Sequence, residues 1–491
     1  MAGKEITFPK PQVTPAQADP GSPASEARKG GNSTSQVAII LANDASRGGH
    51  FIPELARVGT LPVLLRAILG AKSAHADRIM VAVDSVRART IEHELAETGR
   101  LPGCVEWIVV EEGSETLAEV IRLAAENADQ LVLMMGDRTY NPSLHRMTQE
   151  WLGEEGALAL EDSSGPVGIV ALSSPLALRL ANNHPDQITN LEDVYGWIAL
   201  RKTMRAHAGP SLISVPSKSW QRIGTPDDCE AAERKLDAWL VKPTDGIFAR
   251  TNRRISIPIS RWLIKYPITP NMVTYFTLGV SIAAGVFYGL GGYWNMLVGA
   301  ILSLWASILD GCDGEVARIK LQYSDFGCWL DSVCDYLSYF SIFTGMAVGF
   351  ARHTGNRAYL MWGWALLFGA VFTVILAMIG RRRLSGDRPE QYLKKWQEQA
   401  ERRASSNPIM YIGRYTEFMV RRCFLPYPFL VFAIFNITQV GFFLATIGAN
   451  IAWMISLYSN RLFLTKRGPV VLRSANADRV GNTINMEVQG Q

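Results

Sequence analysis

The chain has no Cys-x-x-Cys pair and no zinc-ligand spacing. Its six cysteines (Cys104, Cys229, Cys312, Cys328, Cys334 and Cys423) are scattered, which argues against a structural zinc site and fits a reducing compartment. No basic n-region followed by an apolar h-region opens the chain. A cleavable signal peptide is therefore not expected, and insertion into a membrane is expected to rely on internal apolar segments. Basic blocks interleaved with base-stacking aromatics are also missing, and a net charge of +4 with a pI of 8.6 is mild. These features speak against a nucleic-acid partner and leave the basic residues as juxtamembrane anchors. No period of about 20 to 50 residues repeats, so a solenoid is excluded.

What is present divides into unlike parts. At 491 residues the chain is long enough for two or three domains, and its mean hydropathy of +0.07 averages over them. Residues 1–35 are rich in Pro, Ser, Gly and Ala without an apolar period, and they read as a disordered tail, as do residues 466–491. From Gln36 the pattern changes: the apolar run Val37 to Ala42, a helical stretch over Leu61 to Leu69, strand-like Arg78 to Asp84 and Val105 to Val110, a helix over Glu115 to Ala128, then Leu131 to Asp137. Strands alternating with helices over residues 36–240 predict a doubly wound α/β domain, whose ligand site lies at the carboxyl ends of the strands. Asp137 stands at such an end.

Residues 241–271 read as a linker and a helix lying in the membrane interface, since bulky apolar residues alternate with Arg250, Arg253, Arg254, Arg261, Trp262 and Lys265. After it come apolar stretches near the roughly 20 residues a bilayer requires. Six spans are expected within residues 272–465, at about 272–289, 293–317, 326–350, 358–380, 424–441 and 443–461. Basic residues cluster before the first span and between the fourth and fifth, whereas the opposite side carries only Arg352, His353 and Arg357. By the positive-inside rule both termini face the cytosol.

Carboxylates interrupt the apolar runs at one place, between Asp310 and Asp335. On a helix, Asp310, Asp313, Ala317 and Arg318 share one face, and Asp331 and Asp335 are one turn apart on the next helix. Carboxylates at a membrane boundary are expensive without compensation, so the default reading is functional. Four of them aimed at one spot need a counter-charge. Hard oxygen ligands select a hard divalent cation, Mg2+ or Mn2+.

The spacing Asp-x2-Asp-Gly-x2-Ala-Arg-x8-Gly-x3-Asp-x3-Asp resembles that of the CDP-alcohol phosphatidyltransferases, with every fixed position filled by Asp310, Asp313, Gly314, Ala317, Arg318, Gly327, Asp331 and Asp335. The resemblance implies that Asp310, Asp313, Asp331 and Asp335 hold the metal, and that Asp335 takes the acceptor hydroxyl's proton. Gly314, Ala317 and Gly327 would let the CDP approach the helix backbone, and Arg318 would grip a phosphate. Which aspartate is the base stays open, because coupled carboxylates titrate together. Arg381, Arg382, Arg383 and Arg414 are candidates for an anionic acceptor, or they anchor the neighbouring spans. The family also implies a homodimer.

The first half resembles the sugar-phosphate nucleotidyltransferases in its order of elements, with departures. The expected glycine-rich turn reads Asn43 to Gly49, Glu54 follows Pro53 where a lysine is expected, and Arg222 or Gly224 stands where a second aspartate is expected. Asp137 would be the surviving metal ligand, or the cap of the following turn. The fold class is thus an N-terminal α/β doubly wound, nucleotidyltransferase-like domain plus a C-terminal all-α six-helix transmembrane domain. This layout resembles the bifunctional inositol-1-phosphate cytidylyltransferase / di-myo-inositol phosphate phosphate synthases. It implies an integral-membrane transferase that moves a phospho-alcohol group from a CDP-linked donor to an acceptor hydroxyl and releases CMP. Three alternatives stay open: a phospholipid synthase using CDP-diacylglycerol with a non-catalytic soluble half, a bifunctional enzyme with an active cytidylyltransferase, and a non-enzymatic membrane scaffold.

Overall fold

The computed structural model describes residues 35–42, 51–110, 116–126, 128–150, 156–183, 188, 190–204, 211–241, 245–385 and 423–464. Both expected tails, the turn at Asn43 to Gly49 and the basic segment 386–422 lie outside the described residues. In chain order the first half runs β1 Gln36–Ala42, β2 Arg57–Val58, β3 Leu61–Pro62, α1 Val63–Ser73, β4 Arg78–Asp84, α2 Ala88–Glu97, β5 Val105–Val110 and α3 Thr116–Ala125. It continues with β6 Gln130–Met135, β7 Arg138–Tyr140, α4 Pro142–Glu150, β8 Ala157–Asp162, β9 Gly165–Ser173, α5 Ser174–Asn183, α6 Leu191–Met204, β10 Ser211–Ser214, β11 Trp220–Arg222 and α7 Pro226–Leu240.

Seven strands form one sheet in the order β10-β8-β9-β6-β1-β4-β5. Strand β1 pairs in parallel with both β4 and β6, whereas β9 runs antiparallel between β6 and β8. Because β1 is central and its residues are buried throughout, its run is apolar on both faces instead of alternating. Val37, Ile39 and Leu41 pack under α3, α5 and α6, and Ala38, Ile40 and Ala42 pack under α1 and α2. The chain reverses direction across the sheet between β1 and β6, the switch point at which such folds build ligand sites. Asp137 follows β6 at that edge.

The second half consists of α8 Ile247–Leu263, α9 Pro270–Leu290, α10 Tyr293–Ile319, α11 Asp325–Thr354, α12 Ala358–Ser385, α13 Pro426–Ile434 and α14 Thr438–Leu464. Among the described residues, four helices are long and apolar enough to cross a membrane: Pro270–Leu290, Tyr293–Ile319, Asp325–Thr354 and Ala358–Leu376. The span expected at 424–441 is not one helix. The nine-residue α13 ends where Asn436 adopts a left-handed φ of 57°, with Asn436 N donating to Ala433 O and Ile437 N to Phe432 O. This is a Schellman closure, and hydropathy misses it because the residues on either side are equally apolar. Helix α14 then takes over both the end of that run and the sixth expected span.

Helices α10 and α11 each pack chiefly on α9. The α/β half meets the helices at the end of α10. Val58, Ile223, Leu236 and Leu240 share one apolar cluster with Ile264, Val316 and Ile319.

Candidate active site

Helices α10 and α11 bring three of the four expected metal ligands together. Ligand oxygens of Asp310, Asp331 and Asp335 all lie within 4.8 Å of one another, and each residue is half-buried. The one-turn offset between Asp331 and Asp335 puts both on the same side of α11, facing the last third of α10. At an effective dielectric of about 20, two charges at that separation repel by about 3 kcal/mol. Such an arrangement of hard oxygen donors fits Mg2+ or Mn2+.

Asp313 is set apart from this trio. It is 9% exposed and accepts a 2.7 Å hydrogen bond from Thr274 Oγ1 on α9, while its other oxygen accepts from Gly314 N. Thr274 was not singled out from the sequence, where a lone threonine in an apolar span carries no signal. Arg318 turns back along α10. Its Nε donates to Gly314 O at 2.9 Å and its Nη1 to Leu240 O of α7 at 3.2 Å, so the guanidinium lies along the motif beside Gly314. Ala317 is half-buried on the same helix. Gly327 serves the start of α11: its N–H donates to the capping Ser324 Oγ at 2.9 Å. A Cβ there would lie 2.9 Å from that oxygen and 3.2 Å from Asn271 Oδ1. Arg381, Arg382 and Arg383 fall on the last turns of α12, where their side chains are outside the description, and Arg414 lies outside the described residues.

Glu315 is a further buried carboxylate that the motif does not specify. It is fully buried and accepts hydrogen bonds from Arg253 Nη1, Ser256 Oγ and Ser260 Oγ, the last two at 2.6 Å. All three donors belong to α8. This helix turns a polar stripe of Asn252, Ser256 and Ser260 inward and leaves Ile255 and Trp262 exposed. Spacing of four between small polar residues was the available signal. Burial is the largest single influence and disfavours the charge on Arg253, but the hydrogen bond and charge of Glu315 together with those of Asp245 outweigh it and raise the pKa above the ordinary arginine value.

In the α/β half, Asp137 is 3% exposed and both of its oxygens are engaged, Oδ1 by Arg138 Nε at 3.3 Å and Oδ2 by Arg222 Nε at 3.0 Å. Arg222, one of the two positions where the resemblance to nucleotidyltransferases led to the expectation of a second carboxylate, is thus paired with Asp137. Glu54, 1% exposed, faces Arg87 at 3.6 Å, and Arg87 also pairs with Asp84 at the end of β4.

Residues 267–402, which carry the carboxylate motif, match the model of the CDP-alcohol phosphatidyltransferase family. Two relatives described as "Bifunctional IPC transferase and DIPP synthase" are similar to this chain. The Aquifex aeolicus protein is 36% identical over 154 residues, 31% of this chain and 34% of that one. The Archaeoglobus fulgidus protein is 26% identical over 325 residues, 61% of this chain and 63% of that one. The matches thus span from about a third to less than two thirds of these relatives' length. Among solved structures, the inositol-1-phosphate CTP transferase from T. maritima aligns with 41% of this chain and 96% of its own, at 16% identity and a TM-score of 0.30.

Proposed function

We propose that this chain is an integral-membrane, metal-dependent transferase that moves a phospho-alcohol group from a CDP-linked donor to an acceptor hydroxyl and releases CMP. The convergence of Asp310, Asp331 and Asp335 carries this reading. Those three, with Asp313 held by Thr274 as the fourth carboxylate of the motif, would hold Mg2+ or Mn2+. When bound, the cation neutralises charge that builds on the leaving CMP. Asp335 accepts the proton of the acceptor hydroxyl as its oxygen bonds to the β-phosphorus, and the bond from that phosphorus to the bridging oxygen breaks. The electron pair leaves with CMP. Arg318, held by the carbonyls of Gly314 on α10 and Leu240 on α7, presents its fork to a phosphate, and the absence of side-chain bulk at Gly314 leaves room for the nucleotide.

An inositol-type donor is favoured by the similarity to the two bifunctional proteins. The α/β half does not transfer nucleotides in this reading. Two arginines at Asp137 fill the place of a metal, and the buried Glu54 stands where a phosphate-binding lysine is expected. Basic residues on one side of the spans favour cytosolic termini and a cytosolic metal site, and the chain works as a homodimer.

The test is CMP release by the purified protein in detergent with Mg2+ or Mn2+. CDP-inositol and CDP-diacylglycerol are offered separately with a panel of alcohols, and Asp335→Asn is the control. Release from one donor that the substitution abolishes fixes reaction and donor together. No release from either donor with any metal removes the reading.

A further inference from the structure

The turn joining α10 to α11 carries no motif residue, yet the α/β half grips it at every level. Helices α10 and α11 meet mainly through α9, so this turn is their only covalent tie near the three carboxylates. Its backbone carbonyls face arginines of the other half. Ile319 O accepts from Arg66 Nη2 at 2.7 Å, and Leu321 O accepts from Arg100 Nη2 at 3.2 Å. Lys320 Nζ reaches back to Tyr266 O and Ile268 O at 2.9 and 2.8 Å, which ties the turn to the entry of α9. Leu321, at a left-handed φ of 49°, packs its side chain against the core under the sheet.

Arg66 is the centre of this grip. It is 8% exposed, and its Nε also donates to Val58 O at 2.6 Å and its Nη2 to Gly59 O at 3.1 Å. Gly59 must be glycine: its φ is 54°, and a Cβ would lie 2.6 Å from Arg66 Nη2 and 2.9 Å from Ile319 Cγ2. Burial, with Arg261 and Arg100 nearby, lowers the Arg66 pKa to about 9, so placing a charge here is costly. Apolar packing by Val58, Leu236 and Ile319 would by itself hold the halves together. A buried guanidinium fork adds direction, because it fixes where the carbonyls point. Asp310 lies roughly 13 Å up the helix from Ile319, so a small rotation at the turn moves it away from Asp331 and Asp335.

We propose that Arg66 and Arg100 are positioning residues for the transferase centre: by holding the α10–α11 turn, the α/β half sets the separation of Asp310 from Asp331 and Asp335. This rests on the metal-dependent reading above. The α/β half is then kept for its grip on the other half's metal site.

The experiment measures Mn2+ affinity of the full chain in detergent by electron paramagnetic resonance, for the natural protein, Arg66→Met, Arg100→Met and Arg78→Met. Arg78 pairs with Glu106 at 2.8 Å across β4 and β5 and is the control. Supports outside the ligand set change metal affinity by about tenfold or more. Arg66→Met is expected to weaken Mn2+ binding about tenfold and Arg100→Met about threefold. Excess Mn2+ should restore CMP release, and Arg78→Met should bind as the natural protein does. A merely structural role would lower the yield of folded protein without a metal-rescued turnover. Mn2+ affinity within twofold of the natural protein in the folded arginine variants overturns the proposal. If Arg66→Met does not fold, Arg100→Met decides by the same criterion. Failure of the natural protein to bind Mn2+ removes the transferase reading itself, whereas natural-like binding in the variants removes only the positioning role.

Discussion

The aspartates at the end of β6 and along α10 and α11 have met opposite fates. Asp310, Asp331 and Asp335 face one another, whereas Asp137 faces Arg138 and Arg222. The residue type is the same, so what differs is the company each keeps. Three carboxylates brought together from two helices form a set of hard oxygen donors, while a carboxylate matched by two guanidiniums has been answered from within. The comparison teaches that a motif is read by its neighbours in space. Aspartate at a strand's end in a nucleotidyltransferase-like sheet does not by itself make a metal site.

The sharpest break of this comparison is kinetic. Asp335→Asn should lower CMP release by about 1000-fold, the scale of a lost general base, whereas Asp137→Asn should leave turnover per folded molecule within about threefold. Equal losses in a donor assay would put both centres in the reaction. Next in size is Glu315→Ala, which leaves the charge of Arg253 with Asp245 at 3.4 Å as its remaining ion-pair partner. Removing one member of a buried pair costs about 3 to 5 kcal/mol, to be seen as a lower unfolding midpoint and a detached α8 in limited proteolysis.

A pH effect separates the halves. His145 is buried against Gly70 in the α/β half, and burial lowers its pKa to about 4. The unfolded chain takes up that proton near pH 6.5 and the folded chain only near pH 4. Stability therefore falls as pH drops through this window and levels off below it, by a total on the order of 3 kcal/mol. Melts of His145→Gln between pH 7.5 and 4 should show a flatter dependence than the natural chain. An unchanged slope would assign the acid sensitivity to other groups. The smallest effect belongs to Gly327→Ala, whose methyl group crowds Ser324 Oγ and Asn271 and should cost about 1 kcal/mol through the weakened cap of α11. Differential scanning of the detergent-solubilised protein measures it.

The parts of the site that were legible in the sequence are those set by local periodicity. Asp331 and Asp335 share a face because four residues make about one turn, and the apolar runs flanking Asp310 put it on a long helix. The sheet was legible because buried parallel strands such as β1 and β4 are continuous apolar runs between helices. Pairings across the chain were not. Arg222 reaches Asp137, and Arg66 reaches Ile319 O, through tertiary structure alone. Likewise the inward face of α8 is set by a partner distant in sequence, because Glu315 on α10 decides that Ser256 and Ser260 turn inward. The break at Asn436 was hidden by hydropathy, which does not register one left-handed residue.

The cluster joining Val58, Leu236 and Leu240 to Val316 and Ile319 has a consequence for biogenesis. On the ribosome the α/β half emerges first, with the seat for Ile319 and Leu321 still empty and Arg66 short of one carbonyl. The cores on the two faces of its sheet form without α10, but this junction cluster closes only after α10 has been made. The α/β half therefore waits on the helical half to cover this seat, and a chain stalled before α10 exposes an apolar surface to the quality-control machinery.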